Sequence, residues 1–300
     1  MTFSPAQNTD SEGAILFDLK RFSLDDGPGP RTVLFFQGCP LACPWCHNPE
    51  GVPLSGPLLF RKEKCIGCGK CLLACPLGLD GREHPIGCTF CGDCAKACVT
   101  EALIQLGRFY PFQEIYETIG RDLDLLLEGG GGVTATGGES LLQLPALVEI
   151  FRWCKNRGIH TLLETSGHGA DNLEELLEVT DEVYLDLKFP DAARYKEIGG
   201  KLDLVRAFAE KIAQAKIPLS IRMPVIPGYN DSDADLLEAA KLAWSWEGVK
   251  NFVLLPYRPW GKDKYQALAL PFITENKAMS PQKLREKIAK LEKAGYSATF

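Results

Sequence analysis

The sequence has no long apolar run, no excess of basic residues and no apolar stretch near its first residue. No run in its 300 residues approaches the ~18 apolar residues of a membrane helix, so we expect a soluble chain without a membrane partner. Residues 1–14 are polar and acidic, unlike a signal peptide, which predicts a cytoplasmic protein. The 33 Lys and Arg against 39 Asp and Glu give a net charge of −6, which disfavours a nucleic-acid partner.

Cysteine is the residue type present in excess. There are twelve cysteines, and eleven of them lie between positions 39 and 98. A cysteine-rich chain without an export signal is expected to bind metal through its thiols rather than to form disulfides. The twelfth, Cys154, lies on an apolar helical stripe with Leu147 and Phe151, which predicts a buried structural thiol.

Two runs of four cysteines have the spacing of bacterial ferredoxins that carry two clusters. The first run extends from Cys65 to Cys75, with Pro76 after it, and the second repeats its cysteine spacing from Cys88 to Cys98. Because the fourth cysteine of each run ligates the other cluster, we expect two [4Fe–4S] clusters. Cluster A takes Cys65, Cys68, Cys71 and Cys98, and cluster B takes Cys88, Cys91, Cys94 and Cys75. The alternative is a pair of zinc sites, which usually take their ligands from two C-x2-C pairs.

The earliest run has only three cysteines, Cys39, Cys43 and Cys46. A four-iron cube held by three thiolates keeps one iron without a protein ligand, and that iron is able to bind a substrate. His47 follows the run directly and is an alternative fourth ligand. Free thiols in a loop are the remaining interpretation of this run.

Outside the cysteine-rich stretch the chain has the pattern of repeated strand and helix units. The predicted strands are Arg31–Gln37, Val133–Thr136, Thr161–Thr165, Glu182–Leu187, Leu219–Val225 and Asn251–Leu255, with an earlier one, Ala14–Phe22, pairing at the edge. This alternation predicts a parallel sheet or barrel. Active sites of such folds lie at the carboxyl ends of the strands.

Polar or glycine-rich residues follow every one of these strands. The six strand ends are Gly38-Cys39-Pro40, Thr136-Gly137-Gly138-Glu139, Glu164-Thr165-Ser166-Gly167, Asp186-Leu187-Lys188, Arg222 with Pro227-Gly228-Tyr229-Asn230, and Leu255-Pro256-Tyr257-Arg258. A single such end is weak evidence, because a glycine pair is usually a turn and a lone Asp-x-Lys is usually a solvated pair. Six ends beside a three-cysteine loop together predict one ligand site at the rim.

These motifs resemble a known family. The C-x3-C-x2-C loop with Trp45 before its third cysteine is similar to that of the radical S-adenosylmethionine (SAM) superfamily. Asp26-Gly27-Pro28-Gly29, Cys46-His47-Asn48-Pro49 and the strand ends above resemble, more narrowly, the glycyl radical enzyme activating enzymes. The resemblance implies an α/β fold, namely a partial open (β/α)6 TIM-type barrel over residues 14–59 and 106–300. It also implies a ferredoxin-like 2[4Fe–4S] insertion at 60–105, after an N-terminal tail at 1–13.

The resemblance also implies which residues hold SAM. In the family, SAM chelates the unique iron through its methionine amino and carboxylate groups, so the three-cysteine loop would carry the catalytic cluster. The Gly-Gly-Glu strand end is expected at the amino group, and the Asp-Leu-Lys end at the carboxylate and ribose. The expected SAM contacts are Trp45, His47, Gly137, Gly138, Glu139, Asp186, Leu187, Lys188, Arg222 and Arg258.

Two finer expectations follow from the family. A monovalent cation near the carboxylate would use Glu164, Thr165, Asp186 and the carbonyl of Tyr184. The chain departs from the family after Leu-Pro-Tyr, where His is common and Arg258 stands here. Because Arg only donates hydrogen bonds, it can contact the ribose but cannot act as an acceptor.

The implied activity is that of an oxidoreductase that cleaves SAM reductively to methionine and a 5′-deoxyadenosyl radical. That radical takes hydrogen from a backbone glycine in a loop of a partner glycyl radical enzyme, which the sequence does not specify. A ferredoxin- or flavodoxin-type electron donor, three [4Fe–4S] clusters and an anaerobic cytoplasm are also implied. Two alternatives stay open: a radical SAM enzyme acting on a small molecule or a nucleic acid, and an electron carrier without catalysis.

Overall fold

The computed structural model describes residues 12–53, 58–83, 87–88, 91–169, 171–272 and 278–300. Over these residues the strands are β1 Gly13–Ser23, β2 Arg31–Phe36, β3 Leu58–Phe60, β4 Leu103–Gln105, β5 Arg108–Pro111, β6 Gly132–Gly137, β7 His160–Thr165, β8 Glu182–Asp186, β9 Leu219–Val225 and β10 Val249–Pro256. The α-helices are α1 Lys70–Leu73, α2 Asp93–Lys96, α3 Phe112–Gly120, α4 Leu123–Glu128, α5 Leu144–Lys155, α6 Glu174–Glu178, α7 Ala192–Glu197, α8 Leu202–Gln214, α9 Asp233–Ser245, α10 Lys262–Ala267 and α11 Pro281–Lys293.

Eight strands form one open sheet in the order β10-β9-β8-β7-β6-β2-β1-β5. The six strands from β2 to β10 in this order pair in parallel. Their central residues, such as Leu163, Val183 and Ile221, are fully buried, as expected for parallel strands that are covered by helices. The α/β fold with six parallel strands that the sequence predicts is therefore confirmed.

The predicted first strand does not lie at the edge of the sheet. β1 pairs with β2 on one side and with β5 on the other, both antiparallel. The short strand β5 is therefore the edge strand. No sequence pattern predicted it, because its residues are exposed or half-buried.

The helices after the parallel strands pack their apolar stripes on the sheet. In α5, Leu147, Phe151 and Cys154 recur at helical spacing and are fully buried. Pro145 occupies the first turn of this helix, where a missing N–H costs nothing. Burial raises the pKa of the Cys154 thiol to about 12, in accord with the structural role that its position predicts.

The outer edge of β10 carries a short pairing with a distant segment. Thr299 forms a parallel bridge with Val253. The Leu254 N–H donates to the Thr299 carbonyl at 2.8 Å, and the Thr299 N–H donates to the Phe252 carbonyl at 3.0 Å. The final described residues therefore cover part of the free edge of the sheet.

The cysteine-rich segment forms a small unit with its own core. β3 and β4 pair antiparallel, from Leu58 opposite Gln105 to Phe60 opposite Leu103. The short helices α1 and α2 contribute Cys71 and Cys94 to a core with Leu58 and Leu103. Across the described ranges, no helix is long and apolar enough to cross a membrane.

Candidate SAM and cluster site

A cavity of about 280 Å³ lies at the carboxyl ends of the parallel strands. Its wall takes residues from all six of them, including Cys39 after β2, Gly137 of β6, Thr165 of β7, Asp186 of β8, Pro224 of β9 and Leu255 of β10. Because the first and the last of these strands border the same cavity, the sheet must curve around it. This is the geometry of a partial barrel with its site at the top.

The three-cysteine loop forms one wall of the cavity, with Cys39, Cys43 and Cys46 all lining it. Backbone hydrogen bonds hold the loop from both sides: Cys39 N–H donates to Val52 at 3.0 Å, and Ala42 N–H donates to Ile198 at 2.8 Å. Burial raises the pKa of Cys39 and of Cys43 to about 12. The thiols would therefore stay protonated by themselves, and only a bound metal would make them thiolates.

The residues on either side of the third cysteine are held by aromatic contacts. Trp45 lines the cavity and packs edge-on against Phe189 and Tyr229, with ring centroids 5.4 Å apart in each case. His47 also lines it, stacks on Tyr257 and donates from Nε2 to the Arg258 carbonyl at 2.7 Å. The Arg258 side chain is not among the lining residues, so its backbone, rather than its guanidinium, is what the structure brings to the site.

The Gly-Gly-Glu strand end divides into two parts. Gly137 and Gly138 line the cavity, and a Cβ on Gly138 would lie 2.1 Å from the Gly38 carbonyl, so the close packing of the strand ends requires glycine. Glu139 lies behind them, fully buried and outside the lining. Its carboxylate accepts hydrogen bonds from Thr165 Oγ1 at 2.6 Å and from the Ser166 N–H at 2.8 Å. Glu139 therefore positions Thr165 and Ser166, which line the cavity. Its expected contact with SAM stays a prediction.

The Asp-Leu-Lys strand end presents one ion pair to the cavity. Lys188 Nζ lies 2.7 Å from Asp186 Oδ2, and both residues line the cavity. Burial is the largest single influence on the pKa of Lys188 and lowers it, but Asp186, Cys43 and Tyr195 together keep that pKa above its usual value. Leu187 between them is fully buried in the core and is not a lining residue.

Two buried side chains fix the Lys188 backbone. Tyr195 Oη accepts a hydrogen bond from the Lys188 N–H at 2.9 Å. Asn230 Nδ2 donates to the carbonyls of Lys188 and Pro224 at 3.0 and 2.8 Å, and so ties the ends of β8 and β9 together. No sequence motif predicted a role for Tyr195, and Asn230 was marked only by its position after the fifth strand.

The expected cation site has its carboxylates already paired. Arg222 forms an ion pair with Glu164, which also accepts from Thr136 Oγ1 at 2.9 Å. Asp186 is paired with Lys188 as described. Tyr184 does not line the cavity, and its ring lies 5.2 Å from the Arg222 guanidinium carbon. Two protein cations, Arg222 and Lys188, therefore supply positive charge at the expected cation position.

Two hollows in the insertion are lined by cysteines from both runs. One hollow has Cys65, Cys68 and Cys71 of the first four-cysteine run together with Cys98 of the second. The other has Cys88, Cys91 and Cys94 together with Cys75. The fourth cysteine of each run also accepts a backbone hydrogen bond at its sulfur. The Leu79 N–H donates to Cys75 Sγ and the Leu103 N–H donates to Cys98 Sγ, both at 3.3 Å. The cysteines line open hollows and are not gathered in a single-ion cage among the described residues.

His168 is a buried residue that no sequence motif indicated. Its Nε2 accepts from the Lys201 N–H at 2.9 Å, so Nδ1 carries the hydrogen and donates to the Ser166 carbonyl at 2.9 Å. Ser166 lines the cavity. His168 therefore supports the cavity wall from behind, as Glu139 does.

Two substitutions of His168 separate this support from simple packing. His168→Asn keeps a donor near the Nδ1 position, whereas His168→Gln keeps an acceptor near the Nε2 position. If the Ser166 contact positions the wall, the Gln variant should weaken SAM binding about two- to tenfold and the Asn variant should weaken it less. Equilibrium SAM binding measures this difference, and equal losses would indicate packing alone.

The pH dependence of stability gives a second readout for His168. Burial lowers its pKa, although the contacts with Ser166 and Lys201 oppose the shift. The unfolded value is about 6.5, so the stability that neutral His168 contributes is complete above that pH and is lost as the pH falls through the lowered pKa. The stability advantage of the wild type over His168→Gln, measured by urea unfolding, should shrink over that range.

Sequence models of known families match this chain in three places. The model of the radical SAM superfamily matches residues 85–240. A 4Fe-4S binding domain matches residues 59–78, and a 4Fe-4S single cluster domain matches residues 25–68. This chain, an open parallel barrel with a three-cysteine loop at its cavity, thus has a radical SAM fold with iron–sulfur binding segments.

Characterised relatives narrow this class. The choline trimethylamine-lyase activating enzyme of Oleidesulfovibrio alaskensis is 33% identical over 282 residues, which cover 89% of this chain and 91% of that protein. The benzylsuccinate synthase activating enzyme of Thauera aromatica is 34% identical over 269 residues, covering 85% and 81%. The chain belongs to the glycyl radical enzyme activating enzymes of the radical SAM superfamily.

A solved structure supports the fold independently of sequence. Streptococcus suis SuiB bound to precursor peptide SuiA aligns with a TM-score of 0.52 over 64% of this chain and 43% of that chain. The identity is 15%, so the likeness concerns the fold alone.

Proposed function

We propose that this protein binds SAM in the cavity beside Cys39, Cys43 and Cys46 and generates a radical on a backbone glycine of a partner enzyme. The observation that carries the proposal is the convergence of the three thiols and all six parallel strand ends on one cavity. The three-thiol set fits a [4Fe–4S] cluster with one open iron. When bound and reduced, the cluster supplies one electron that breaks the C5′–S bond of SAM, giving methionine and a 5′-deoxyadenosyl radical.

The side chains of the cavity bind and orient SAM. The Lys188 ammonium binds the methionine carboxylate as a point charge, and the Asp186 carboxylate accepts a hydrogen bond from a ribose hydroxyl. The backbone carbonyls of Gly137 and Gly138 are acceptors suited to the ammonium group. Trp45 and His47 form the adenine side. Glu139 and His168 act as positioning residues through Ser166, as their hydrogen bonds support.

Hydrogen abstraction from glycine requires positioning and exclusion of water rather than an acid or base. Glycine suits this task because it lacks a Cβ and can enter a narrow space. The open side of the barrel leaves room for a loop of the partner enzyme. In the last step the C5′ radical takes one hydrogen atom from the glycine Cα, which leaves 5′-deoxyadenosine and a glycyl radical.

An anaerobic reconstitution experiment tests this function. The iron-loaded protein, SAM and a small strong reductant are mixed with a candidate glycyl radical enzyme, and the radical is measured by electron paramagnetic resonance. We expect one glycyl radical signal, with formation of 5′-deoxyadenosine and methionine. A partner in which the glycine is replaced by alanine is the control. SAM cleavage that never yields a protein radical with any glycyl radical enzyme would support a small-molecule substrate instead.

We further propose that the insertion holds two more [4Fe–4S] clusters and relays electrons from a ferredoxin- or flavodoxin-type donor in an anaerobic cytoplasm. The exchange of Cys98 and Cys75 between the two hollows supports this arrangement. The oxygen sensitivity of such clusters supports the compartment. The match to a 4Fe-4S binding domain at residues 59–78 agrees with the first run.

Cys98→Ala tests the exchanged ligands. The variant should damage the cluster bound by Cys65, Cys68 and Cys71, although Cys98 belongs to the other run. Iron should fall from about twelve per chain toward about eight, and Mössbauer spectra should show one cluster altered. Cys75→Ala is the matched variant for the other cluster. Zinc in stoichiometric amount, or about four irons in the wild type, would contradict the two-cluster insertion.

A further inference from the structure

Basic side chains are concentrated on one half of the insertion. Residues 61–70 contain four cations and one anion: Arg61, Lys62, Lys64 and Lys70, with Glu63. The three lysines are exposed. In the sequence they lie close to Cys65, Cys68 and Cys71, which line one hollow of the insertion together with Cys98. In a chain with a net charge of −6, this is a local excess of positive charge beside one candidate cluster site.

The other half of the insertion provides an internal comparison. Lys70 follows Gly69 at the start of α1, and Asp93 follows Gly92 at the start of α2. The two glycines have similar positive φ values, 72° and 81°, so the backbone repeats while the charge reverses. Asp93 also lies 3.4 Å from Lys96. The cysteine framework does not require the lysines, and their concentration in one half indicates a separate role.

An apolar side chain lies within the basic region. Ile66 is 67% exposed between Cys65 and Cys68, and Cys68 is itself exposed. Both residues line the hollow, so this is where the hollow comes nearest to solvent. An apolar centre with a charged rim is the composition of a protein interface in which charge guides the encounter.

We propose that this basic surface, formed by Lys62, Lys64 and Lys70 around Ile66, docks an acidic one-electron carrier protein. The inference rests on the proposed function, because SAM cleavage consumes one electron per turnover. An acidic carrier is complementary to the three lysines, and a small interface lets it dissociate after each transfer. The glycine of the partner enzyme must instead reach the SAM cavity, and Lys62, Lys64, Lys70 and Ile66 are not among the residues that line that cavity.

Binding of an acidic flavodoxin that carries FMN tests the surface. The probe is titrated into the iron-loaded protein by calorimetry at about 50 and about 200 mM NaCl, where the screening length differs about twofold. We expect binding that weakens with salt. The triple variant Lys62→Glu, Lys64→Glu, Lys70→Glu should weaken it more than about tenfold at the lower salt.

A second triple variant controls for total charge. Lys96→Glu, Lys241→Glu, Lys293→Glu makes the same change in net charge at exposed positions elsewhere, and it should weaken binding much less. Equal losses in the two triple variants, or binding by the wild type that ignores salt, would overturn the proposal. The proposal would also be overturned if the first triple variant bound flavodoxin as the wild type does but no longer bound the glycyl radical enzyme.

Turnover with a small reductant separates this proposal from the function itself. SAM cleavage by the first triple variant should equal that of the wild type with the small reductant and fall with the reduced flavodoxin. Equal falls with both reductants would assign the lysines to cluster integrity and overturn the docking surface. Failure of the wild type to cleave SAM with any reductant would overturn the proposed function instead.

Discussion

Cys43→Ala is expected to abolish the reductive cleavage of SAM while most of the iron stays bound. Cys43 is one of three thiols on the cavity wall, and two thiolates hold a four-iron cube poorly. Iron should fall from about twelve to about eight per chain, because the eight cysteines of the insertion are untouched. Release of 5′-deoxyadenosine with a small reductant measures the activity, and iron analysis measures the clusters.

Cys154→Ala is the matched control for that variant. Cys154 is a fully buried thiol in α5 that contacts the core and lines no cavity described above. Its replacement should leave both the iron content and SAM cleavage near the wild-type values, at a modest loss of stability. Substantial SAM cleavage by Cys43→Ala would show that the cluster of this reaction is bound elsewhere.

Lys188→Ala is expected to weaken SAM binding about ten- to a hundredfold, which corresponds to the 1.5–3 kcal/mol of a charge-assisted hydrogen bond. The loss of the ammonium removes the partner of the SAM carboxylate. In the wild type, Lys188 Nζ lies 2.7 Å from Asp186 Oδ2. Without that ammonium, the Asp186 carboxylate would repel the SAM carboxylate. Equilibrium binding under anaerobic conditions measures the effect, and iron content should not change.

Two further variants sharpen the Lys188 experiment. Lys201→Ala removes an exposed lysine from the segment before α8 and should leave SAM affinity unchanged. Lys188→Arg keeps the charge and should recover part of the affinity. Wild-type affinity in Lys188→Ala would mean that SAM lies elsewhere in the cavity.

The parallel strands could be predicted from the sequence because their central residues are apolar and buried. Leu219–Val225 agrees with β9 at both ends, and Val133–Thr136 falls within β6. β5 could not be predicted, since its residues are exposed or half-buried and its only support is pairing with β1, more than ninety positions earlier. A pairing between segments so far apart cannot be predicted from the residues of β5 alone.

The candidate site was predicted as a set of residues but not as a set of contacts. Cysteine spacing and glycine positions act through the backbone, so the loop and the strand ends could be located from the sequence. The partners of these side chains come from distant segments of the chain. Arg222 forms an ion pair with Glu164, and the Arg258 carbonyl accepts a hydrogen bond from His47. In the same way, the hydrogen bonds from Thr165 and Ser166 hold Glu139 behind the cavity wall. The ion pairs of Arg222 and Lys188 put positive charge at the expected cation position.

An open sheet leaves two strand edges that could pair with another molecule of the same chain. A long, flat and unprotected edge is a site of aggregation. Here the β10 edge is partly occupied by Thr299 through two backbone hydrogen bonds, and β10 ends at Pro256, which has no N–H to offer. At the opposite side β5 spans four residues and ends at Pro111. The barrel can therefore stay unclosed for its substrate loop without inviting sheet-to-sheet polymerisation.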